Sequence, residues 1–407
     1  MSWDAEQISL DDQSQFETLN GLWTGKKPPF VTAGVIRNTN FTKSGRVDYS
    51  DVAWLQVEQK QLAKRQIKPG DIIVERSGGG PKQPVGRVVY FEREDGPFSF
   101  SNFTSAIRVR DRETFDTKFI FYVLLELYQS GKTEDLQRRT TGIRNLDFTA
   151  YKERATFPQI SIHEQRKIAA VLGVLQRAIE QQERLLALTA ELKKTLLHQL
   201  FTLGLRGEPQ KQTEIGLVPE SWEVTKLRNI ATSKSGGTPS RTKPEYWGGG
   251  SIPWVKTGEV DYCVIDDSEE KITPAGLANS SAKLFPAGTL LMAMYGQGIT
   301  RGKVAILGAE AATNQACVAI FPCEDISTKF LYYFFEGKYE YIRNLGHGAN
   351  QKNLSAEILK GATVAYPKDR EEQKSVVGSM EALDKNFRFT YANTPSSPTS
   401  SAPCCTS

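Results

Sequence analysis

The sequence predicts an α+β protein in which two similar α/β domains are joined by one long helix. The length of 407 residues suits two or three domains. Matching segments recur in the same order about 200 residues apart, which indicates a duplicated domain. Between the two copies lies a run of leucines at helical spacing, which predicts the connecting helix.

Composition narrows the class of protein. The 51 basic and 47 acidic residues give a net charge of +4, too small to indicate nucleic-acid binding by itself. Five cysteines without a CxxC pair argue against a disulfide scaffold and a structural zinc site. The chain has no apolar run of membrane-spanning length, and its first residues lack the features of a secretory signal. We expect a soluble, cytoplasmic protein that does not contact membranes.

The repeat defines the two domains. Thr117-Lys118-Phe119 recurs as Thr328-Lys329-Phe330, and Asn145-Leu146 recurs as Asn353-Leu354. The segment 69–73 likewise resembles 286–291. This period is too long for a solenoid. Short apolar runs predict strands at 31–36 and 72–74 in the first domain, and at 252–255 and 289–292 in the second.

The connecting helix has a clear start and end. Ser161 and Glu164 form a capping box at its start, and Gly204 and Gly207 end it. About 40 residues at 1.5 Å each give a rod of roughly 60 Å. One narrow apolar stripe follows the rod, and such a stripe needs a second helix along its length. Its residues are Ile168, Leu172, Leu175, Ile179, Leu185, Leu188, Leu192 and Leu196.

A second, shorter helix follows the second domain. Asp369 and Glu372 repeat the capping pair, and Val376, Met380, Leu383 and Phe387 repeat the stripe. The uncharged Ser/Pro-rich tail that follows predicts disorder. We therefore expect a first domain at 1–160, a long helix at 161–207, a second domain at 208–367, a shortened helix at 368–388 and a disordered tail at 389–407.

Several segments resemble part of a catalytic motif, but they lack residues that the motif requires. Gly131-Lys132-Thr133 lacks the first glycine of a phosphate-binding loop, and three histidines make a histidine-based metal site hard to assemble. Asp51, Glu58 and Lys60 resemble the acidic pair and lysine of metal-dependent nucleases, and they keep one enzymatic alternative open. We predict that the chain is not an enzyme and has neither catalytic residues nor a metal.

Two basic loops can meet phosphates. The segment 226–247 has five basic residues against one acid, and Arg138-Arg139-Thr140-Thr141-Gly142-Ile143-Arg144 has three arginines and no acid. Arginine, lysine, serine and threonine are the side chains that contact the DNA backbone. An ordinary solvated surface explains either segment, taken alone, nearly as well.

Several longer segments resemble a known family. The run from Gly216 to Val224, the segment Ser235-Gly236-Gly237-Thr238-Pro239-Ser240 and the loop 296–304 are similar to those of type I restriction–modification specificity subunits. So are the Glu-Gln-rich helix starts, and the resemblance extends over residues 1 to about 388. The first domain is the weaker match.

The resemblance implies a non-catalytic subunit. In that family, each of two target recognition domains reads one half of a bipartite, asymmetric site on double-stranded DNA. The two helices pair as an antiparallel coiled coil, set the spacing between the half-sites and dock two methyltransferase subunits, which restriction subunits then join. No cofactor is expected in this chain, because S-adenosylmethionine, ATP and Mg belong to the partner subunits.

Candidate DNA-binding residues are polar or basic side chains in the loops of both domains, since base edges are read by hydrogen-bonding side chains. In the first domain they are Arg37, Asn38, Lys43, Arg46, Arg76, Ser77, Lys82, Gln83, Arg138, Arg139 and Arg144. In the second domain they are Lys234, Thr238, Arg241, Lys243, Lys256, Thr257, Tyr295, Gln297, Thr300, Arg301, Lys303, Asn350 and Gln351.

The short second helix departs from the family pattern. It predicts that Leu185, Leu188, Leu192 and Leu196 are exposed on the long helix, and that subunit docking is weakened or asymmetric. A truncated gene product, a methyltransferase subunit that covers the leucines, and self-association each explain this. A stand-alone DNA-binding or scaffold protein, or a non-functional specificity subunit, remains the alternative function.

Overall fold

The computed structural model describes residues 6–22, 25–80, 83–140, 143–295, 299–345 and 354–392. As predicted, the fold mixes helices and sheets, with two domains and one long helix. The chain divides into two compact units, Met1–Gln181 and Gln182–Ser407. The long helix begins in the first unit and ends in the second.

The first unit contains twelve strands within its described residues. They are β1 (Gln7–Ser9), β2 (Phe16–Asn20), β3 (Phe30–Ile36), β4 (Ala53–Glu58), β5 (Ile72–Glu75), β6 (Ser77–Gly79), β7 (Val88–Tyr90), β8 (Phe98–Phe100), β9 (Thr104–Val109), β10 (Gln137–Thr140), β11 (Ile143–Leu146) and β12 (Thr156–Pro158). Its helices are α1 (Gln59–Arg65), α2 (Thr117–Gln129) and α3 (Phe148–Arg154), and α4 (Ile162–Leu203) is the long helix.

The second unit repeats this pattern. Its strands are β13 (Gln210–Thr213), β14 (Gly216–Pro219), β15 (Glu223–Lys226), β16 (Ala231–Ser235), β17 (Ile252–Val255), β18 (Val264–Ile265), β19 (Lys271–Ile272), β20 (Leu284–Phe285), β21 (Leu290–Ala293), β22 (Val304–Leu307), β23 (Ala311–Thr313), β24 (Cys317–Pro322) and β25 (Thr363–Tyr366). Its helices are α5 (Leu227–Ile230), α6 (Pro274–Ala278), α7 (Thr328–Gly337), α8 (Tyr339–Asn344), α9 (Ala356–Lys360) and α10 (Arg370–Ala392).

The strand pairings show that the two units share a topology. The first unit has a sheet of order β2-β9-β5-β7 beside a sheet of order β4-β3-β8, and the second has β16-β24-β21-β22-β18 beside β19-β17-β23-β20. In both units, two strands of the smaller sheet run parallel, β3 with β8 and β17 with β23. An early strand of each unit also pairs with the strand before the following helix, β1 with β12 and β15 with β25.

A buried glutamine fixes the start of both α4 and α10. The carboxamide of Gln165 donates to two backbone carbonyls at 2.8 and 2.9 Å and accepts from the N–H of Asp116, the residue that caps α2, at 2.9 Å. Gln373 repeats these bonds at the same distances with the N–H of Ser327, which caps α7. Because both carboxamides are fully buried and satisfied, each helix is tied to its own domain.

The ends of α4 agree with the sequence prediction. Glu164 donates its N–H to the Ser161 hydroxyl at 3.3 Å, and that hydroxyl donates to the Glu164 carboxylate at 3.2 Å. The helix ends at Leu203, and Gly204 and Gly207 then take positive φ angles of 66° and 62°. A positive φ is disfavoured for residues that carry a Cβ, so the two glycines end the helix as expected.

The apolar stripe of α4 is largely uncovered. Ile168 packs against the apolar core of the first unit, whereas six other residues of the stripe have exposed fractions of 37% to 54%. These are Leu172, Leu175, Ile179, Leu185, Leu188 and Leu192. The expected exposure of Leu196 is wrong, because Leu196 is partly buried and packs against the main apolar core of the second unit, called the second core below.

The helix after the second domain, α10, is longer than predicted. It runs to Ala392, so residues 389–392 are helical and not part of a disordered tail; residues 393–407 lie outside the described ranges. Val376 and Met380 are buried in the second core and Leu383 is half-buried, while the Phe387 side chain lies outside the described residues.

The predicted second capping pair is wrong for Glu372. The Asp369 carboxylate accepts from the N–H of Glu371 at 2.9 Å, and Glu372 instead accepts from the indole N–H of Trp222 at 2.9 Å. Trp222 is buried beside Phe201, so this bond satisfies a donor that the second core has removed from water.

Candidate nucleic-acid interface

A short turn follows β3 and presents Arg37 and Asn38. The turn Asn38–Asn40 is closed by the buried Asn40, whose side-chain oxygen Oδ1 accepts from the Arg37 N–H at 2.9 Å. The amide nitrogen of Asn40 donates to the carbonyls of Asp48 and Asp51 at 3.2 and 3.0 Å. This carboxamide therefore holds the turn from inside while Arg37 and Asn38 stay partly exposed.

The second unit has the same turn after β17. Here the buried Glu259 replaces the asparagine, and its carboxylate accepts from the Lys256 N–H at 2.6 Å. Lys256 and Thr257 thus occupy the places of Arg37 and Asn38. The Lys256 ammonium lies 2.7 Å from Glu269 and 3.3 Å from Glu270. Its bond to Glu269 raises the pKa of Lys256.

Neighbouring strand ends complete a polar corner beside each turn. In the first unit, the carbonyl of Phe103 accepts from the N–H groups of Arg76 and Ser77 at 2.8 and 3.1 Å. The Asn38 amide donates to the carbonyl of Ser77 at 3.3 Å. Asn38, Ser77, Asn102 and Phe103 therefore form one surface, the first corner, and the Phe103 ring is 44% exposed.

The second corner consists of Thr257, Tyr295, Asn314 and Gln315. The Asn314 amide donates to the Thr257 hydroxyl at 3.5 Å, and the Thr238 hydroxyl donates to Gln315. Thr238, Thr257 and Tyr295 were predicted from sequence, and the fold brings them to equivalent strand ends. The Tyr295 ring is 39% exposed, so this corner also presents an aromatic surface.

A glycine permits close packing beneath each corner. A Cβ at Gly21, directly after β2, would lie 1.9 Å from the Ser101 carbonyl oxygen. At Gly236, directly after β16, it would lie 2.1 Å from the Thr313 hydroxyl. Both distances are below any real contact, so each corner is built on a backbone approach that only glycine allows.

In the first unit a basic sheet continues from the corner. The sheet has the order β10-β11-β6 and carries Arg138, Arg139 and Arg144. Arg139 lies opposite Arg144, and Ser77 donates its hydroxyl proton to Asn145 at 2.5 Å. Arg138 pairs with Asp147, and the Arg144 guanidinium donates to Gln137 at 3.2 Å. The Arg139 side chain lies outside the described residues.

Other predicted residues of the first unit lie apart from the corner or have internal partners. The Arg46 guanidinium is 2.7 Å from Glu180 of α4, so it joins the domain to its helix. Arg76 donates to Asn20 at 3.1 Å, and burial lowers the pKa of its guanidinium. Lys43 is exposed, Gln83 lies in a turn with Gly80, and Lys82 is outside the described residues.

In the second unit Arg241 stacks on an aromatic ring. Its guanidinium lies 3.6 Å from the centre of the Trp247 ring and pairs with Glu270, and this hydrogen bond lowers the pKa of Glu270. Lys243 donates to the Tyr246 hydroxyl at 3.0 Å. Lys234 lies 5.8 Å from the Phe321 ring.

The loop before β22 holds three more predicted residues. The Lys303 ammonium is 2.5 Å from Asp261 and its side chain is only 12% exposed, so this charge is already neutralised within the domain. Arg301 is buried and Thr300 is half-buried. Gln297, Asn350 and Gln351 lie outside the described residues.

The residues predicted from sequence do not include Arg87, Asn102 and Gln315, which also lie at or beside the corners. Arg87 binds the buried Glu75 with two nitrogens, at 2.7 and 2.9 Å, and Glu75 in turn accepts from Asn38 at 3.1 Å. The match of Gly86-Arg87-Val88 with Gly302-Lys303-Val304 could have identified it. Asn102 and Gln315 share no local identity that would single them out.

The proposed nuclease residues do not form a site. Asp51 precedes β4 and Glu58 ends it, so the six-residue strand keeps them at least roughly 17 Å apart. One divalent ion cannot bind both carboxylates across that distance. Within the described ranges, no group of His, Cys, Asp and Glu side chains could hold a metal ion. In the same part of the chain, no helix is long and apolar enough to cross a membrane.

Comparison with known proteins relates this arrangement to a family. The sequence is 34% identical over 181 residues to the specificity subunit of the type I restriction enzyme MjaIX from Methanocaldococcus jannaschii, covering 43% of this chain and 41% of that protein. It is 26% identical over 230 residues to the EcoR124I/EcoR124II specificity subunit from Escherichia coli, covering 56% and 55%. The aligned regions thus span about half the length of these relatives.

The fold comparison covers more of the chain. The S subunit of a type I restriction–modification system from M. genitalium superimposes with a TM-score of 0.62 at 17% identity, over 97% of this chain and 93% of that one. The family model of the type I restriction modification DNA specificity domain matches twice, at residues 14–190 and 219–394. The two corners therefore lie in two copies of one domain, and the chain belongs to the type I restriction modification DNA specificity domain family.

Proposed function

We propose that this chain is the DNA specificity subunit of a type I restriction–modification complex, and that it acts on cytoplasmic DNA without performing any chemistry itself. The observation that carries this proposal is the pair of equivalent polar corners, one in each specificity domain. Two surfaces with the same backbone but different side chains suit a site whose halves differ in sequence. Each corner then reads one half of a bipartite, asymmetric site.

The residues divide into two roles by their chemistry. Arg138, Arg139 and Arg144 supply charge for phosphates, because a basic sheet surface can follow the DNA backbone. Asn38 and Thr257 belong to the corners, where donors and acceptors can reach base edges. The other candidate residues stay predictions, and Arg46 and Lys303 have partners that favour a structural role instead.

The partners follow from the exposed stripe on α4. Leu175, Leu188 and Leu192 are each more than half exposed, and an apolar helix face of this kind marks an interaction surface. We assign it to two methyltransferase subunits, which bring S-adenosylmethionine, and restriction subunits add ATP and Mg. The domain boundaries that we propose place this stripe on a spacer between the two recognition domains.

Methylation mapping tests the proposal. The chain would be co-expressed with the methyltransferase subunit encoded beside it, and N6-methyladenine would be mapped by single-molecule sequencing. We expect one split motif with a fixed gap, and no such motif when the methyltransferase subunit is expressed alone. The proposal is wrong if no motif appears while the same methyltransferase subunit is active beside another specificity subunit.

Binding by the purified chain separates the rival function. A specificity subunit should bind DNA weakly until methyltransferase subunits are added, as the resemblance to the family implies. A stand-alone DNA-binding protein would reach full specific affinity alone. Fluorescence anisotropy with the mapped site, with and without the methyltransferase subunit, distinguishes the two.

A further inference from the structure

Each corner contains an exposed carboxamide at the same structural position. Asn102 is the second residue after β8, and Gln315 is the second residue after β23. Both side chains are exposed. The local sequences, Ser101-Asn102-Phe103 and Asn314-Gln315-Ala316, have no residue in common, so the agreement comes from the fold.

The backbone on both sides of each carboxamide is held by equivalent hydrogen bonds. The preceding residue donates its N–H to the last carbonyl of the parallel strand, Ser101 to Ile36 at 2.9 Å and Asn314 to Val255 at 3.1 Å. The carbonyl of the following residue accepts an N–H from the end of the neighbouring strand. Phe103 accepts from Arg76 and Ala316 accepts from Met294, both at 2.8 Å. A residue fixed on both sides presents its side chain in a defined direction, which direct readout of a base requires.

Each carboxamide has basic and polar neighbours. Arg37 and Lys256 follow the strands parallel to β8 and β23, and both pair with carboxylates of their own unit, Arg37 with Asp51 and Lys256 with Glu269 and Glu270. In the second corner, the Thr238 hydroxyl donates to the Gln315 carbonyl oxygen, so Thr238 is a positioning residue that orients the amide. That oxygen keeps a second lone pair, and the amide nitrogen carries two donors.

We infer that Asn102 and Gln315 each read an adenine through hydrogen bonds to its N6 and N7 atoms in the major groove, one in each half of the site. A carboxamide has one acceptor and one donor at the spacing that adenine presents, and the other three bases do not offer this pair. The inference rests on the proposed function and adds to it the residue that specifies one base pair in each half-site.

Alanine variants test the assignment one half-site at a time. In the complex with methyltransferase subunits, Asn102→Ala should lower the preference for one base pair in one half-site by about 10- to 100-fold, and Gln315→Ala should do so in the other. Methylation mapping or selection from a randomised site measures both. The matched controls are Gln13→Ala and Asn229→Ala. Gln13 and Asn229 are exposed carboxamides that precede β2 and β16, whereas the corners lie at the other ends of these strands. Both control variants should leave every position unchanged.

A conservative variant makes the test independent of folding. Asn102→Asp and Gln315→Glu keep the size of the side chain but remove its donors, and a carboxylate accepts from the N4 amino group of cytosine. Each should therefore shift the preferred base from adenine to cytosine at its own position. An unchanged motif, or an equal loss at all positions, overturns the inference while the wild-type motif still supports the proposed function. Absence of any wild-type motif overturns both.

Discussion

A largely buried lysine joins the second-unit part of α4 to α7 and α10, and its removal gives a sharp test of what holds α10 in place. The Lys193 ammonium of α4 lies 2.7 Å from Glu336 of α7 and 2.7 Å from Asp384 of α10. The three side chains are only 12% to 22% exposed. Tyr333 also donates its hydroxyl proton to Asp384 at 2.8 Å.

Replacing Lys193 with methionine leaves two facing carboxylates without a counter-charge. Breaking a buried ion pair by removing one partner costs about 3–5 kcal/mol. We expect a loss in the free energy of unfolding near the lower end, about 3 kcal/mol, because Asp384 keeps its bond to Tyr333. Methionine preserves the apolar stem, so the loss reports on the charge.

The pH dependence of the stability loss in Lys193→Met follows from Glu336. Burial raises the pKa of this carboxyl, against the opposing pull of Lys193. A raised pKa in the folded state means that the group contributes stability below the pKa of an unfolded glutamate, about 4.3, and that this contribution is lost as pH rises through the folded value. Without Lys193 the pKa of Glu336 should rise further. The cost of Lys193→Met should therefore be largest at neutral pH and decrease towards pH 5.

Urea unfolding at pH 7 and pH 5, with hydrogen exchange of the α10 amides, measures this cost. The matched control is Lys329→Met, because Lys329 pairs with Glu381 between the same two helices α7 and α10 but is 58% exposed. An exposed pair contributes about 0–1 kcal/mol. If Lys193→Met costs no more than Lys329→Met, or costs the same at both pH values, the reasoning is refuted.

Three further outcomes are expected. Glu336→Gln should leave the free energy of unfolding at pH 7 unchanged or raise it, because a neutral amide avoids burying a second negative charge; the same urea titration checks this. Gln165→Leu and Gln373→Leu should each lose about 2–3 kcal/mol in urea unfolding, because each leaves buried backbone groups unpaired. Arg138→Ala with Arg144→Ala should weaken binding to all DNA sequences and reduce the salt dependence by about one per lost phosphate contact, measured by anisotropy of the assembled complex.

Most of the architecture could be predicted from local sequence signals. The capping pair at Ser161 and Glu164 fixes where α4 begins, and Gly204 fixes where it ends, because both signals act within one helical turn. The duplication is visible from Thr117-Lys118-Phe119 and its repeat, since an equivalent helix with a side-chain cap, Asp116 or Ser327, begins there in each unit. The exposure of Leu196 was wrong because it depends on which domain lies beside that turn of the helix.

The candidate site was only partly predictable. Asn38 and Ser77 are far apart in sequence, and they meet because β3 pairs with β8 while β5 pairs with β9, the strand that follows β8. No periodicity encodes these long-range pairings. Nor does the sequence distinguish an arginine that faces solvent from Arg46, whose guanidinium forms an ion pair with Glu180 on α4. Composition identifies the residue types that can bind DNA, and the strand order decides which of them share a surface.

Two equivalent helix contacts differ in whether the acceptor of the tyrosine hydroxyl is charged. Tyr122 of α2 donates to Gln176 of α4 at 2.8 Å, and Tyr333 of α7 donates to Asp384 of α10 at 2.8 Å. The two acceptors follow Gln165 and Gln373 by the same number of residues, so they are equivalent positions. Gln176 is uncharged and contacts Glu180, which pairs with Arg46, whereas Asp384 itself pairs with Lys193, which also pairs with Glu336. A buried ion pair is a poor source of stability but can fix the register of two helices. Because α10 is a separate segment that must align with α4, the ionic contact lies where register has to be specified.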